Sequence, residues 1–272
     1  MAQRSALLNV MTAAATKAAR GLVRDFGEIE NLQVSKTGPA DFVTTADKKA
    51  EEVLVAELTK ARPRFGFLLE EGGEIEGADT SNRWIIDPLD GTTNFLHGFP
   101  VFCVSVALLH KGRPEHAVVY DPLRQELFTA SRGQGAELDG HRIRVSGLKT
   151  MQRALVGTGF PYRDSNQALA PYMKMFTTVM ARTSGIRRPG AAALDLCYVA
   201  AGRLDAFWET GLRKWDIAAG ALIIREAGGI ITGLDGSEDY LETGHILTGT
   251  PKIYSGLTRL FAPHIKDMFG AS

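Results

Sequence analysis

The sequence predicts an α/β protein that carries its chemistry at the ends of its strands, and three observations lead there. Ala- and Leu-rich stretches at helical spacing are interrupted by short apolar runs bounded by glycine, proline and acids. Two of those runs, Phe65-Gly66-Phe67-Leu68-Leu69 and Trp84-Ile85-Ile86, lead into carboxylates and then glycine. After residue 101 the pattern changes to successive strand-like segments separated by turns, as in an antiparallel meander continuing one sheet. The chain has 272 residues, enough for two lobes or one large layered unit.

Taken in order, residues 5–26 read as an opening helix. Residues 31–43 hold Lys36-Thr37-Gly38-Pro39 and read as a polar loop, with Lys36 either a solvated charge or a lid residue over an anion. A helix over roughly 46–61 is entered through Thr44-Thr45-Ala46-Asp47, where Thr44 and Asp47 fit a capping box. Asp47 fits equally well as an acid standing near a metal site. The strand at 65–69 ends in Glu70-Glu71-Gly72-Gly73. Strands follow at 101–109, 115–120 and 126–130, parted by Lys111-Gly112-Arg113-Pro114 and Asp121-Pro122. From about 150 the elements alternate again: a strand at 154–159, a helix at 166–183, and a small-residue helix at 190–201 stopped by Gly202. A strand at 204–208 is closed by Glu209, and a helix opens at Lys214-Trp215-Asp216 and stops at Gly228-Gly229. Asp216 stands where first-turn acids are common. There is no internal repeat or low-complexity segment.

The central stretch is Arg83-Trp84-Ile85-Ile86-Asp87-Pro88-Leu89-Asp90-Gly91-Thr92-Thr93-Asn94-Phe95. Its buried strand is expected to stop at the proline and the Asp-Gly pair. Ligands of open α/β sheets bind just outside the carboxyl ends of strands. Gly91 permits close backbone approach, and the Gly91, Thr92 and Thr93 N–H groups could open a helix toward an anion. Two ionised carboxylates about 4 Å apart repel by roughly 4 kcal/mol at an effective dielectric near 20, so Asp87 and Asp90 call for a cation between them. Turn chemistry explains Asp-Pro, Asp-Gly and Thr-Thr as well, and the stretch alone leaves both readings open. An EF-hand loop and a P-loop are excluded by their missing residues.

Composition sets the outer limits. Hydrophobic residues at 44% and charged residues at 23% are those of an ordinary globular protein. Lys+Arg and Asp+Glu are both 31, which gives no support to general nucleic-acid binding. No apolar run reaches about 18 residues and no long apolar core follows Arg4, so neither a membrane helix nor a signal peptide is expected. Cys103 and Cys197 sit in apolar contexts and read as buried reduced thiols of a cytoplasmic protein. His97 and His245 fit no cluster and read as surface or packing residues.

Glu70, Asp87, Asp90 and Asp216 thus stand at strand ends or a helix start, and oxygen-only ligands suit Mg2+ or Mn2+ rather than Zn2+. Here the chain resembles the inositol monophosphatase family of lithium-sensitive, Mg2+-dependent phosphatases. The marks are Asp41-Phe42-Val43-Thr44-Thr45-Ala46-Asp47, Glu70-Glu71, Asp87-Pro88-Leu89-Asp90-Gly91-Thr92-Thr93-Asn94-Phe95 and Trp215-Asp216-Ile217-Ala218-Ala219-Gly220, and they cover nearly the whole chain. The resemblance implies a layered αβαβα sandwich of the inositol monophosphatase and fructose bisphosphatase type. It implies one unit over 1–272, with an N-terminal lobe of about 1–145 for metal and a C-terminal lobe of about 146–272 for substrate. By the same resemblance Glu70, Asp87, the Leu89 carbonyl, Asp90 and Asp216 would bind two or three Mg2+ ions per site, with Mn2+ as a substitute. Asp47 and Thr92, with Glu70, would act on the attacking water. Gly91 and Thr92 N–H groups would hold phosphate. Glu209, Asp216 and the Gly190-Ala191-Ala192 backbone would meet the polyol hydroxyls, and Lys36 would lie on a mobile loop. Ala191 replaces a hydroxyl residue common among relatives, and Pro189 precedes the glycine; both bear on sugar preference.

The implied activity is hydrolysis of a small phosphate monoester, foremost myo-inositol 1-phosphate, by metal-activated water. Two metals could serve an in-line attack with no protein nucleophile. A haloacid-dehalogenase phosphatase would carry Asp-x-Asp-Gly-Thr, whereas these acids are Asp-x-x-Asp. A 3′-phosphonucleotide, histidinol phosphate or fructose bisphosphate would be the alternative substrate. The resemblance further implies a homodimer in the cytoplasm. It also leaves a role beside RNA polymerase or in antitermination as the reading from another class.

Overall fold

The structure, a computed structural model, describes residues 5–28, 34–38, 41–161 and 166–269, with backbone alone at 34–38, 41–43, 166–168, 266 and 269. Helix α1 (Ala6–Phe26) is capped by Ser5, whose hydroxyl accepts from Leu8 N. Strands β1 (Val34–Gly38) and β2 (Asp41–Thr44) pair antiparallel where a polar loop was expected. Their ladder is made by backbone groups, which polar side chains do not advertise. The Lys36 side chain lies outside the described residues. Helix α2 (Thr45–Ala61) starts with the expected capping box.

An eight-stranded sheet follows: β3 (Phe65–Leu69), β4 (Gly73–Ile75), β5 (Asp79–Asp90), β6 (Cys103–His110), β7 (Arg113–Asp121), β8 (Glu126–Ser131), β9 (Gly135–Leu138) and β10 (His141–Arg142), in the order β10-β9-β8-β7-β6-β5-β3-β4. From β5 to β10 it is the expected antiparallel meander, while β3 runs parallel to β5. Helix α3 (Thr92–Leu96) lies between β5 and β6. The second sheet has the order β12-β11-β13-β15-β14 and contains β11 (Leu155–Thr158), β12 (Gly185–Arg187), β13 (Ala206–Glu209), β14 (Ile230–Gly233) and β15 (Ile246–Gly249). Helices α4 (Asn166–Met180), α5 (Ala192–Ala200), α6 (Lys214–Glu226), α7 (Tyr240–Thr243) and α8 (Pro251–Phe269) complete the chain.

Strand alternation sorts these elements into five layers. Trp84, Ile86, Val104 and Val106 turn toward α1 and α2 and share a core with Met11, Leu22, Leu54 and Leu58. Their neighbours Ile85, Ala107, Val119 and Phe128 face the other way, onto α5 and α6. Phe207 and Ile231 of the second sheet close that middle core, while Trp208, Val156 and Leu247 point outward to Tyr172 of α4 and Phe261 of α8. The result is the αβαβα sandwich, with α5 and α6 between the sheets. Cys103 and Cys197 are buried free thiols, His97 is exposed and His245 half-buried.

One strand departs from expectation in a way that builds the site. β5 runs on through Pro88 to Asp90, and its pairing with β6 steps from Asp87↔Ser105 to Asp90↔Cys103. Three steps on β5 match two on β6, which is a bulge of one extra residue. Proline is tolerated there because a bulged position owes no donor to the ladder.

Candidate active site

Side chains three apart on a regular strand face opposite sides of the sheet. The extra residue at Pro88–Leu89 cancels that, so Asp87 and Asp90 both turn toward the middle layer, where α6 brings Asp216. One carboxylate oxygen from each of Asp87, Asp90 and Asp216 lies within 4.8 Å of the others. β3 and β5 are parallel, so their carboxyl ends share one edge, and Glu70 N donates to Ile86 O at 3.2 Å. Glu70 Oε2 is buried there with no hydrogen-bond partner.

Each acid is held by its own element. Asp216 Oδ2 accepts from Arg213 N at 2.6 Å in the first turn of α6. Asp87 Oδ1 accepts from Leu89 N at 2.9 Å. Asp90 reaches across to the start of α5, where Oδ1 accepts from Ala192 N at 3.2 Å and Oδ2 from Ala193 N at 2.7 Å. Two first-turn N–H groups of a helix whose Ala191 cap offers no side chain are thereby satisfied. The Cys103 thiol lies 3.6 Å from Asp90 Oδ2.

The carboxyls carry the electrostatic signature of a crowded dry site. Burial, joined by the charge of Glu70, Asp90 and Asp216, holds Asp87 well above the carboxylate range. Burial first, then the charges of Asp216, Glu71 and Asp47, pushes Glu70 up to about 9. Burial and Asp90 lift Asp216 to about 7. Burial raises Asp90 to about 6, against the lowering by its backbone donors and Cys103. A hard cation fits this donor set: all-oxygen, converging, and including one buried oxygen with nothing to bind.

Beside the cluster stands Asp47 at the first turn of α2. Its Oδ2 accepts from Thr44 N at 2.9 Å and from the Thr44 hydroxyl, and Oδ1 lies 3.2 Å from Thr92 Oγ1. Thr92 Oγ1 is also 3.0 Å from Leu89 O, so its single proton is shared between two acceptors. Burial raises the Asp47 carboxyl above its ordinary value, offset in part by the Thr44 and Thr92 hydrogen bonds. Gly91 caps α3 with φ +97°, and a Cβ there would lie 2.9 Å from Val101 O. Only glycine suits both conditions.

The other wall comes from the second sheet. Glu209 ends β13 with its carboxylate filling the space that a Cβ on Gly159 would take. Burial pushes Glu209 up to about 8, aided by the charge of Asp216 and opposed by Arg188. Gly190, with φ +90°, precedes α5, and of the Gly190-Ala191-Ala192 amides that of Ala192 is engaged by Asp90, while that of Gly190 lowers the burial-raised Asp195 carboxyl. Three residues that shape this wall were assigned no role from sequence: Asn94, seen only as part of the central stretch, Asp195 and Gly159. Asp195 left a signal of its own, an acid inside the apolar run Ala-Ala-Ala-Leu-Asp-Leu-Cys.

Comparison with known proteins agrees with this architecture. The model of the inositol monophosphatase family matches residues 3–266. An inositol-1-monophosphatase of Mesorhizobium japonicum is 53% identical over 256 residues, covering 94% of this chain and 96% of the relative. A Pseudomonas aeruginosa protein named Nus factor SuhB is 51% identical over 262 residues, covering 95% and 97%. The crystal structure of extragenic suppressor protein suhB from Bartonella henselae superposes with a TM-score of 0.92 at 51% identity, covering 94% of this chain and 98% of that one.

Proposed function

Because the chain belongs to the inositol monophosphatase family, we propose that it is a Mg2+-dependent phosphatase that hydrolyses a small polyol phosphate, foremost myo-inositol 1-phosphate. The observation that carries the proposal is the convergence of Asp87, Asp90 and Asp216 beside the orphaned Glu70 oxygen. Glu70, Asp87, the Leu89 carbonyl, Asp90 and Asp216 are the residues to hold the ions. Bound Mg2+ supplies the positive charge that lets these carboxylates ionise together, polarises the phosphoryl group and makes water acidic enough to attack.

The chain's own residues do the rest. Asp47 Oδ1 accepts the Thr92 proton, which leaves a Thr92 lone pair facing the site to accept from the attacking water. The buried, raised Asp47 carboxyl suits it to take up that proton. The Gly91 and Thr92 N–H groups open α3 toward the phosphate, where fixed donors match a charge spread over equatorial oxygens. Glu209 and the Gly190–Ala192 backbone face the alcohol side. On this reading residues of about 1–145 supply most of the metal site, and about 146–272 supply the substrate wall and Asp216.

Phosphate release from inositol 1-phosphate, with and without Mg2+ and beside a 3′-phosphonucleotide, histidinol phosphate and fructose bisphosphate, tests the proposal. Strict Mg2+ dependence with inositol 1-phosphate among the better substrates supports it; a clear preference elsewhere replaces the substrate. The name Nus factor on a 51% identical relative favours a second reading, a partner role in the transcription machinery. Retention of RNA polymerase by an Asp90→Asn variant would support that role, and its loss would tie any association to the metal site. Among the described residues no helix is long and apolar enough to cross a membrane.

A further inference from the structure

The connection from β12 to α5, residues 188–191, is held by side chains around it. The Asn94 side chain stands in α3, which begins within the Asp-x-x-Asp-Gly-Thr-Thr run, 95 residues away in sequence from Pro189. Its Nδ2 lies 2.9 Å from Pro189 O, 3.3 Å from Gly190 O and 2.8 Å from Val101 O. Two amide hydrogens thus serve three carbonyls. From the other side the Gly190 N–H acts on the Asp195 carboxyl, 1% exposed, and lowers a value that burial raises. The positive φ of Gly190 and the contact that a Cβ there would make with Asn94, 3.3 Å from Nδ2, show how closely the amide seats against this turn.

The geometry points to Asn94 as a positioning residue: its amide fixes the backbone that meets the alcohol part of the substrate relative to the α3 turn that meets the phosphate. This rests on the functional reading given above. Thr92 and Asn94 belong to the same five-residue helix, so a substrate held at Thr92 by its phosphate and at Gly190–Ala191 by its hydroxyls has both grips referenced to one rigid element. Fixing two grips at a set distance is what turns binding into orientation.

The test uses the full chain with Asn94→Ala and Asn94→Ser, the second keeping one donor. Two substrates are compared, inositol 1-phosphate and phenyl phosphate, which has no ring hydroxyls to place. For Asn94→Ala, KM for inositol 1-phosphate should rise about tenfold more than KM for phenyl phosphate, with Asn94→Ser intermediate. Hydrogen exchange at the 190–193 amides should quicken by about tenfold. An equal rise in KM for both substrates, or unchanged exchange at 190–193 in a folded variant, would overturn the inference. If the wild-type protein leaves inositol 1-phosphate intact the functional reading fails separately, and exchange at 190–193 still decides whether Asn94 holds the segment.

Discussion

Asp90→Asn separates the two tasks of one carboxylate. Its oxygens accept from Ala192 N at 3.2 Å and Ala193 N at 2.7 Å, so an asparagine turned either way sets its NH2 group against a backbone N–H. Losing one charge-assisted bond at a helix start costs about 1.5–3 kcal/mol. Against that, a negative charge leaves a site whose three carboxylates approach within 4.8 Å. At that distance and an effective dielectric near 20, each ionised pair repels by about 3.5 kcal/mol. The terms oppose each other and are of equal order. In EDTA near pH 8 the variant should therefore melt within about 5 °C of wild type.

Mg2+ should part the two proteins. A ligand at about 100 times its Kd stabilises the native state by about 2.7 kcal/mol. For a chain of this size that is about 5–10 °C in Tm. Circular-dichroism melts with and without saturating Mg2+ should show this increment in wild type and little of it in the variant, with phosphate release down about 100-fold or more. An equal Mg2+ increment in both proteins would remove Asp90 from the metal site. Collapse of the variant in EDTA would show that capping α5 outweighs relief of the repulsion, and the balance drawn above would be wrong.

Other outcomes follow from the same geometry. Thr92→Ala should lower kcat by about 10–100-fold while the Mg2+ concentration for half activation stays put; an unchanged kcat would deny the hydroxyl its part. The metal-free protein should lose stability as pH rises. Asp90, Asp216 and Glu70 have folded values of about 6, 7 and 9, above those of an unfolded chain, so the folded state holds their protons longer. Their contribution is complete below the ordinary carboxylate range and is lost through about pH 6–9, while Mg2+ binding, which expels those protons, tightens over the same span. A Tm in EDTA that is flat or rising from pH 5 to 9 would contradict this. Gly159→Ala puts a methyl where the Glu209 carboxylate sits, so KM for inositol 1-phosphate should rise with Mg2+ activation unchanged; an unaltered KM would take Glu209 away from the substrate.

What was legible in the sequence was what neighbouring residues decide among themselves. The Thr44–Asp47 capping box, the meander after residue 101 and the apolar strands at 65–69 and 84–86 are local patterns, and each stands in the fold. The β1–β2 pair was hidden because polar Ser35-Lys36-Thr37 and the Gly38-Pro39 break mask its short apolar positions, and its bonds are backbone. Beyond Gly229 the strands β14 and β15 are only four residues long and α8 carries Pro263, so neither period is sustained. Asn94 and Asp90 act on partners about a hundred residues away, a distance no spacing rule reads.

The spacing of the two aspartates shows how motif and fold depend on each other. In an unbroken strand Asp-x-Asp puts both acids on one face, whereas Asp-x-x-Asp sends one into the α1–α2 core. Here Pro88 occupies the bulged position, where it withholds no ladder hydrogen bond, and the extra residue turns Asp90 back beside Asp87. Asp90 can then cap α5 while its charge remains in the cluster, and α5 is packed between the two sheets. The third residue of spacing is thus what lets one strand end gather the acids and anchor the middle layer at the same point. Deleting Leu89 would leave Asp-Pro-Asp, which a straight strand still puts on one face, but Asp90 would then stand one residue short of α5 and lose its bonds from Ala192 N and Ala193 N.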